Sequence, residues 1–218
     1  MGKLTFDVLI STRTYDKGLS AARKNVEIAN IPVNRILVDT SKPVSYSRYK
    51  LFQKAETEWV VTFDDDVEVE PDWLQRLLPF TKFADTVGVE GLINYPGIPR
   101  KLRVGERSYG CWNAILKSSV FKEWKPDKWM RSWEDYSIGQ HALKFGSWWQ
   151  VPISGKHNAT LNVKSQAIWS GIGNREVFGA RSIFYFFKLG SRIPLHLYRS
   201  DWRAVQQNMY TMKGILKR

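Results

Sequence analysis

The sequence predicts an α/β fold built on a mostly parallel, Rossmann-like central sheet. Short apolar runs of strand length alternate with longer amphipathic segments over the first half of the chain. Each of the first three apolar runs is followed directly by polar or charged residues. The chain has 218 residues, of which 43% are hydrophobic, and this is enough for one domain with a substantial core.

The first half of the chain predicts the order β-α-β-α-β, which is typical of a parallel, doubly wound sheet. The predicted strands are Phe6–Ile10, Arg35–Val38 and Glu58–Phe63, and the predicted helices between them are Leu19–Ala29 and Tyr46–Ala55. In the first helix, apolar residues recur at helical spacing and define one buried face. Asn30 and Pro32 are expected to end that helix.

The elements that follow are less regular. A helix is expected after Pro71, which suits a first helical turn, with Leu74, Leu77 and Leu78 facing the core. The remaining predicted elements are strands at Val87–Ile93, Cys111–Leu116 and Ser147–Ile153 and a helix at Trp133–Lys144, whose apolar face holds Ile138, Ala142 and Phe145. Lys156, His157 and Asn158 are expected in the loop beyond the last strand.

Polar clusters are expected to converge at one edge of the sheet. The first strand is followed by Ser11-Thr12-Arg13, the second by Asp39 and the third by Asp64-Asp65-Asp66. Ligands of open α/β sheets bind outside the carboxyl ends of the strands. Three adjacent carboxylates repel one another unless a positive group lies nearby. The sequence therefore favours a ligand site with Mg²⁺ or Mn²⁺ over a plain acidic turn.

The chain resembles the inverting, GT-A-fold glycosyltransferases of family 2 over roughly its first 160 residues. The motifs that carry the resemblance are Val8-Leu9-Ile10-Ser11-Thr12, Ile36-Leu37-Val38-Asp39, Phe63 to Asp66 followed by Pro71-Asp72-Trp73-Leu74, and Trp133-Glu134-Asp135. The third of these matches the DxD motif, and the last matches the acidic motif that holds the catalytic base. Ser11 departs from the family, in which many members have proline. The resemblance implies a GT-A-like catalytic domain, which we expect over residues 1–180. The composition of residues 181–218 predicts a basic, aromatic, amphipathic helical extension.

The resemblance also implies roles for individual residues. Thr12, Arg13 and Asp39 would contact the nucleotide, and Asp64 or Asp65 would contact its ribose or a metal-bound water. Asp66 would bind the divalent cation directly, with Asp64 and His157 as the other metal-site residues, and Asp135 would be the general base.

The residues themselves leave other interpretations open. Asp135 lies in a Ser132-x-x-Asp135 pattern that fits a capping box, and His157 fits a solvated loop histidine. Arg13 fits a surface charge and Asp39 a turn former. Arg48 could help to neutralise a diphosphate, but its position favours a solvated helix face.

The implied activity is metal-dependent transfer of a single sugar, of the hexosyltransferase type, from a nucleotide-diphosphate sugar to an acceptor hydroxyl with inversion. The QxxRW motif of processive members is absent, so polymer synthesis is not expected. The acceptor is expected to be a carbohydrate, lipid-linked or not.

Two other classes of function remain open. The formal charge of +12 and the carboxylates suggest a nucleic-acid-binding protein or metal-dependent nuclease, and the ten Trp suggest a carbohydrate-binding module. The chain has no recognisable nucleic-acid motif, and no nucleic-acid partner is expected.

The last 38 residues, from Arg181 to Arg218, combine eight basic residues with Asp201 as the one acid. Aromatic residues interleave with the basic ones, and this composition suits an interfacial segment on an anionic membrane. Packing of the aromatic residues onto the catalytic domain is the alternative. Cys111 is the one cysteine, which allows a reducing compartment, and the sequence shows no signal peptide. We therefore expect a cytoplasmic protein with peripheral membrane contact.

Overall fold

The structure of this chain is a computed structural model. It describes residues 4–94, 97–104, 113–126, 130, 134–158, 167–168, 171, 175, 182–198 and 202–216. The described strands are β1 Phe6–Ser11, β2 Val33–Asp39, β3 Trp59–Phe63, β4 Val67–Val69, β5 Thr86–Ile93, β6 Arg100–Lys101, β7 Asn113–Lys117, β8 Ser147–Ile153 and β9 Gly155–His157. The described helices are α1 Tyr15–Ile28, α2 Val44–Lys54, α3 Trp73–Leu77, α4 Ser118–Lys122, α5 Glu134–Ala142, α6 Ser182–Tyr198 and α7 Trp202–Leu216, and Leu78–Lys82 forms a 3₁₀ turn.

The described strands form a seven-stranded mixed sheet and a separate ribbon of β4 and β9. The order of the large sheet is β2-β1-β3-β7-β5-β8-β6. Strand β1 pairs in parallel with both β2 and β3, and β5 pairs in parallel with β8. Strand β7 is antiparallel to both neighbours and β6 is antiparallel to β8, so the other strands share one direction. The prediction of a mostly parallel α/β sheet is confirmed.

The core lies around β1 and β3, whose side chains are almost all inaccessible to solvent. On β3 the Phe63 ring packs against Trp73 of α3, with ring centroids 5.2 Å apart. The Trp73 indole N–H donates to Asn113 Oδ1 on β7. Burial of these aromatic side chains fixes the end of β3, the point at which the three aspartates follow.

Asp7 is a fully buried carboxylate within β1. It accepts hydrogen bonds from Asn34 Nδ2 at 2.8 Å, from Arg35 Nε at 3.2 Å and from the Glu56 backbone N–H at 2.6 Å. Burial acts to raise the pKa of Asp7, but these donors outweigh burial and the pKa is lowered. The ionised carboxylate thus ties β1 to β2 and to the segment that enters β3.

Helix boundaries differ from the predicted ones for identifiable reasons. Helix α1 begins at Tyr15 rather than Leu19, because the Gly18 N–H already donates to the carbonyl of the extended Thr14 at 3.1 Å. The helix predicted after Pro71 covers only Trp73–Leu77. Pro79 follows and has no N–H to continue the α-helical ladder, so the chain changes to a 3₁₀ turn.

The predicted apolar face of α5 is correct for two of its three residues. Ile138 and Ala142 are buried, but Phe145 is 48% exposed. The backbone N–H groups of Lys144 and Phe145 donate to carbonyls three residues back, so the helix tightens after Ala142 and turns Phe145 to solvent. The predicted helix start at Trp133 and the strand start at Cys111 lie outside the described residues.

The chain forms two compact units, residues 1–129 with 135–159 and residues 130–134 with 160–218. The first unit contains the sheet. In the second, helices α6 and α7 pack against each other, and Leu189, Val205 and Ile215 are buried. The predicted domain boundary at residue 180 falls among residues 176–181, which lie outside the described part, and it stays a prediction.

Candidate active site

The carboxyl ends of β1, β2 and β3 lie side by side. Ser11 pairs with Asp39 across β1 and β2, and Ile10 pairs with Phe63 across β1 and β3. The Thr12 backbone N–H donates to the Asp39 carbonyl at 3.1 Å, so the backbones that leave two of these strands remain in contact. This register brings the polar clusters after the three strands to one edge of the sheet.

Asp65 faces the end of β1. Its Oδ2 accepts a hydrogen bond from Thr12 Oγ1 at 2.5 Å, and Lys17 Nζ lies 2.9 Å from its Oδ1. Gly18 makes this approach possible, since a Cβ there would lie 2.6 Å from Thr12 Cγ2. The contact between Thr12 and Asp65 joins two residues that were predicted from the sequence to contact the nucleotide or its ribose. Arg13, the third, is exposed in the turn before α1, and its role stays a prediction.

Asp39 lies at the end of β2, in a cluster of polar groups. Its Oδ1 accepts a hydrogen bond from the Ser41 N–H at 2.8 Å, and Lys50 Nζ lies 2.8 Å from Oδ2. Ser47 donates to the Asp39 carbonyl and accepts from Ser11 Oγ. Burial acts to raise the pKa of Asp39, but Lys50 and Ser41 outweigh it and the pKa is lowered. The carboxylate is therefore ionised and held in one orientation at neutral pH.

Asp64 is directed towards α2, where Arg48 Nη2 lies 2.8 Å from its Oδ1. The same nitrogen lies 4.0 Å from Oδ1 of Asp135 in the first turn of α5. Arg48 is only 5% exposed, so the interpretation of a solvated helix face is wrong. Ser45 lies three residues before Arg48 and Phe52 lies four residues after it, so all three share one face of α2, and all three are buried. This helical spacing was the signal in the sequence that Arg48 is on a buried face.

Asp66 pairs with His157, whose Nε2 lies 3.5 Å from Asp66 Oδ1. His157 is on strand β9 and not in a loop as predicted. Val67 pairs with His157 across the β4–β9 ribbon, and the Asn158 N–H donates to the Asp66 carbonyl at 2.8 Å. Gly155 starts β9 at φ +156°, and a Cβ there would lie 2.7 Å from the Glu68 carbonyl oxygen. The ribbon thus fixes His157 beside the last aspartate.

In the absence of a metal, Asp66 and His157 form an ion pair, and binding of a metal ion by His157 would require its imidazole to lose a proton. The contact with His157 lowers the pKa of Asp66, and the same contact raises the pKa of His157. A carboxylate oxygen and an imidazole nitrogen at this separation are a suitable donor pair for one Mn²⁺ or, less favourably, Mg²⁺. Within the described ranges, no group of three His, Cys, Asp or Glu side chains is arranged to hold a metal ion. Participation of Asp64 stays a prediction.

Asp135 is positioned by contacts of α5 with the segment around α4. Trp124 Nε1 donates to Ser137 Oγ at 3.2 Å, and His141 Nε2 donates to the Val120 carbonyl at 2.9 Å. These contacts hold the first turn of α5 within reach of Arg48. Ser132, the other half of the suggested capping box, lies outside the described residues. The sequence did not identify Lys17 and Lys50, which pair with Asp65 and Asp39. It raised Arg48 but favoured a solvated position for it, whereas Arg48 pairs with Asp64.

Comparison with known proteins gives a family match. The sequence profile of glycosyl transferase family 2 matches residues 27–144, which is more than half of the chain. No curated protein sequence matches the chain significantly.

Several solved structures are similar to this chain. S. aureus TarS 1–349 is 14% identical, with a TM-score of 0.45 over 81% of this chain and 66% of that one. A197 from STIV is 11% identical, with a TM-score of 0.47 over 73% of this chain and 98% of that one. The bifunctional IspDF from Campylobacter jejuni is 14% identical, with a TM-score of 0.46 over 72% of this chain and 51% of that one. The chain thus spans just under two thirds of the TarS fragment.

Proposed function

This chain belongs to glycosyl transferase family 2, and from that premise we propose that it transfers a single hexosyl unit from a nucleotide-diphosphate sugar to an acceptor hydroxyl with inversion. The observation that carries the proposal is the division of the three aspartates. Asp65 contacts Thr12, Asp66 pairs with His157, and Asp64 pairs with Arg48 beside Asp135. We infer from these contacts that Asp65 belongs to the nucleotide site, that Asp66 and His157 belong to the cation site, and that Asp135 is the base.

Asp39 and Thr12 would bind the nucleoside, because both lie at the carboxyl ends of β1 and β2. Asp66 and His157 would hold the divalent cation, which would stabilise negative charge on the departing diphosphate as a Lewis acid. Lys17, bound to Asp65 at 2.9 Å, would keep the ribose side of the site close to neutral.

Asp135 would accept the proton of the acceptor hydroxyl while that oxygen forms its bond to the anomeric carbon. The bond between the anomeric carbon and the diphosphate oxygen breaks in the same step, and its electron pair leaves with the diphosphate. Attack from the face opposite the leaving group inverts the anomeric configuration.

Nucleotide binding can be tested by thermal unfolding in the presence of nucleoside diphosphates and nucleotide sugars with Mn²⁺ or Mg²⁺. A ligand at 100 times its dissociation constant should add about 2.7 kcal/mol to the free energy of unfolding. We expect this stabilisation with at least one nucleotide and cation together, and a smaller one with either alone. Stabilisation by duplex DNA with none by any nucleotide would contradict the proposal and favour a nucleic-acid-binding protein.

We also propose that the acceptor is presented at an anionic membrane surface, to which α6 and α7 bind. These two helices contain no Asp or Glu and carry Lys188, Arg192, Arg203 and Lys213. Phe187 is 65% exposed, and Met209 and Leu216 are also exposed. Exposed apolar side chains between cations suit the interface of an anionic bilayer. No helix in the described part of the chain is long and apolar enough to cross a membrane.

Vesicle sedimentation tests this surface. We expect the protein to bind vesicles rich in anionic phospholipid, and Phe187→Ser with Leu216→Ser to weaken binding about tenfold or more, since each buried apolar side chain contributes about 1.5–3 kcal/mol. Phe83→Ser is the matched control, because Phe83 is half-exposed in the sheet-containing unit. Equal loss in the control, or no binding by the unaltered protein, would refute the membrane surface and leave the transfer proposal standing.

A further inference from the structure

Arg48 is a nearly inaccessible cation between two acidic side chains that the proposed reaction uses separately. Its Nη2 lies 2.8 Å from Asp64 Oδ1 and 4.0 Å from Asp135 Oδ1. Asp64 follows β3 on the donor side, and Asp135 is on α5 on the acceptor side. A guanidinium is permanently charged in proteins, so this position holds a fixed positive charge between the two carboxylates.

The two distances describe different interactions. At 2.8 Å the contact with Asp64 is a charge-assisted hydrogen bond, which fixes both distance and direction. The 4.0 Å separation of Nη2 from Asp135 Oδ1 is too long for a hydrogen bond, so the interaction between these two atoms is an electrostatic attraction. Arg48 Nη2 therefore adds an electrostatic attraction to the Asp135 carboxylate.

Packing fixes the helix that carries Arg48 relative to the helix that carries Asp135. Phe52, one turn after Arg48 on α2, contacts Trp124 edge-on with ring centroids 6.1 Å apart. The Trp124 indole then donates to Ser137 Oγ, two residues after Asp135. Because these aromatic side chains are buried, the separation of Arg48 and Asp135 is set by the core as well as by charge.

We propose that Arg48 is a positioning residue that links Asp64 on the donor side to the base Asp135 and holds that base in its reactive orientation. This inference rests on the proposed function, because it assigns Arg48 a role through Asp135.

Arg48→Met tests the inference by steady-state kinetics with saturating donor. We expect kcat to fall about 100-fold, the cost of a misplaced catalytic group, while KM for the donor changes much less. Arg48→Lys should recover part of the loss, because it restores the charge without the guanidinium geometry. Lys54→Met, an exposed cation on the same helix, is the matched control and should leave kcat unchanged.

A double-mutant cycle separates positioning from a merely structural contribution. If Arg48 acts through Asp135, adding Arg48→Met to Asp135→Asn should lower kcat by no more than about twofold further. A full, additive loss in that background, or a fall in kcat matched by loss of folded protein in thermal unfolding, would overturn the inference. Normal turnover by Asp135→Asn alone would instead refute the proposed base, so the two failures are distinguishable.

Discussion

Asp135→Asn should lower kcat by about 10²–10⁴-fold, which is the usual contribution of a general base, and leave nucleoside diphosphate binding unchanged. The asparagine side chain keeps the shape and hydrogen-bonding reach of Asp135 but cannot accept the proton of the acceptor hydroxyl. The measurements are release of nucleoside diphosphate over time and calorimetric titration of the nucleotide with Mn²⁺.

Two outcomes decide the role of Asp135. The control is Asp85→Asn, because Asp85 is an exposed carboxylate before β5, bound to Lys101 and Ser147 at the opposite edge of the sheet. The control should retain full turnover. If Asp135→Asn also retains turnover and only lowers the midpoint of thermal unfolding, Asp135 serves the capping role that its sequence context allows.

Asp66→Ala should abolish the dependence of nucleotide binding on a divalent cation and reduce turnover by at least about 100-fold. Loss of groups that only support a metal ligand costs about 10–100-fold, so loss of a ligand should cost no less. The measurement is nucleotide affinity with and without Mn²⁺, which should differ in the unaltered protein and be equal in the variant.

His157→Ala provides a second arm of the same test. It removes the imidazole that lies 3.5 Å from Asp66 and should weaken Mn²⁺-dependent binding in the same direction. Lys156→Ala is a neighbouring control on β9, with an exposed side chain. Unchanged cation dependence in both Asp66→Ala and His157→Ala would remove this pair from the metal site.

The fold could be predicted in outline because its signals are local. Buried strands such as Trp59–Phe63 are continuous apolar runs, and the parallel arrangement follows from the alternation with helices. The convergence of Thr12, Asp39 and the three aspartates follows in turn from the parallel sheet. The β4–β9 ribbon was not predicted, because each of its strands has only three residues and pairs with a distant segment.

The site could be predicted only in part, because neutralising partners come from elsewhere in the chain. Lys17 and Lys50 resemble surface charges in sequence, and their contacts with Asp65 and Asp39 depend on how α1 and α2 pack. The pairing of Arg48 with Asp64 is equally hard to predict, because nothing in the segment Tyr46–Lys50 specifies an acidic partner 16 residues further along the chain. The family resemblance placed His157 near Asp66, but the β4–β9 register that brings them together is a tertiary feature.

The division of the three aspartates is tested most directly by a crystal structure with a nucleoside diphosphate and Mn²⁺, using anomalous scattering to locate the cation. We predict an ion about 2.1 Å from an oxygen of Asp66, with His157 as a second protein ligand and the diphosphate completing its shell. The nucleoside should lie against Thr12 and Asp39. A cation bound away from Asp66, or a nucleotide bound elsewhere than at the carboxyl ends of β1, β2 and β3, would contradict the account.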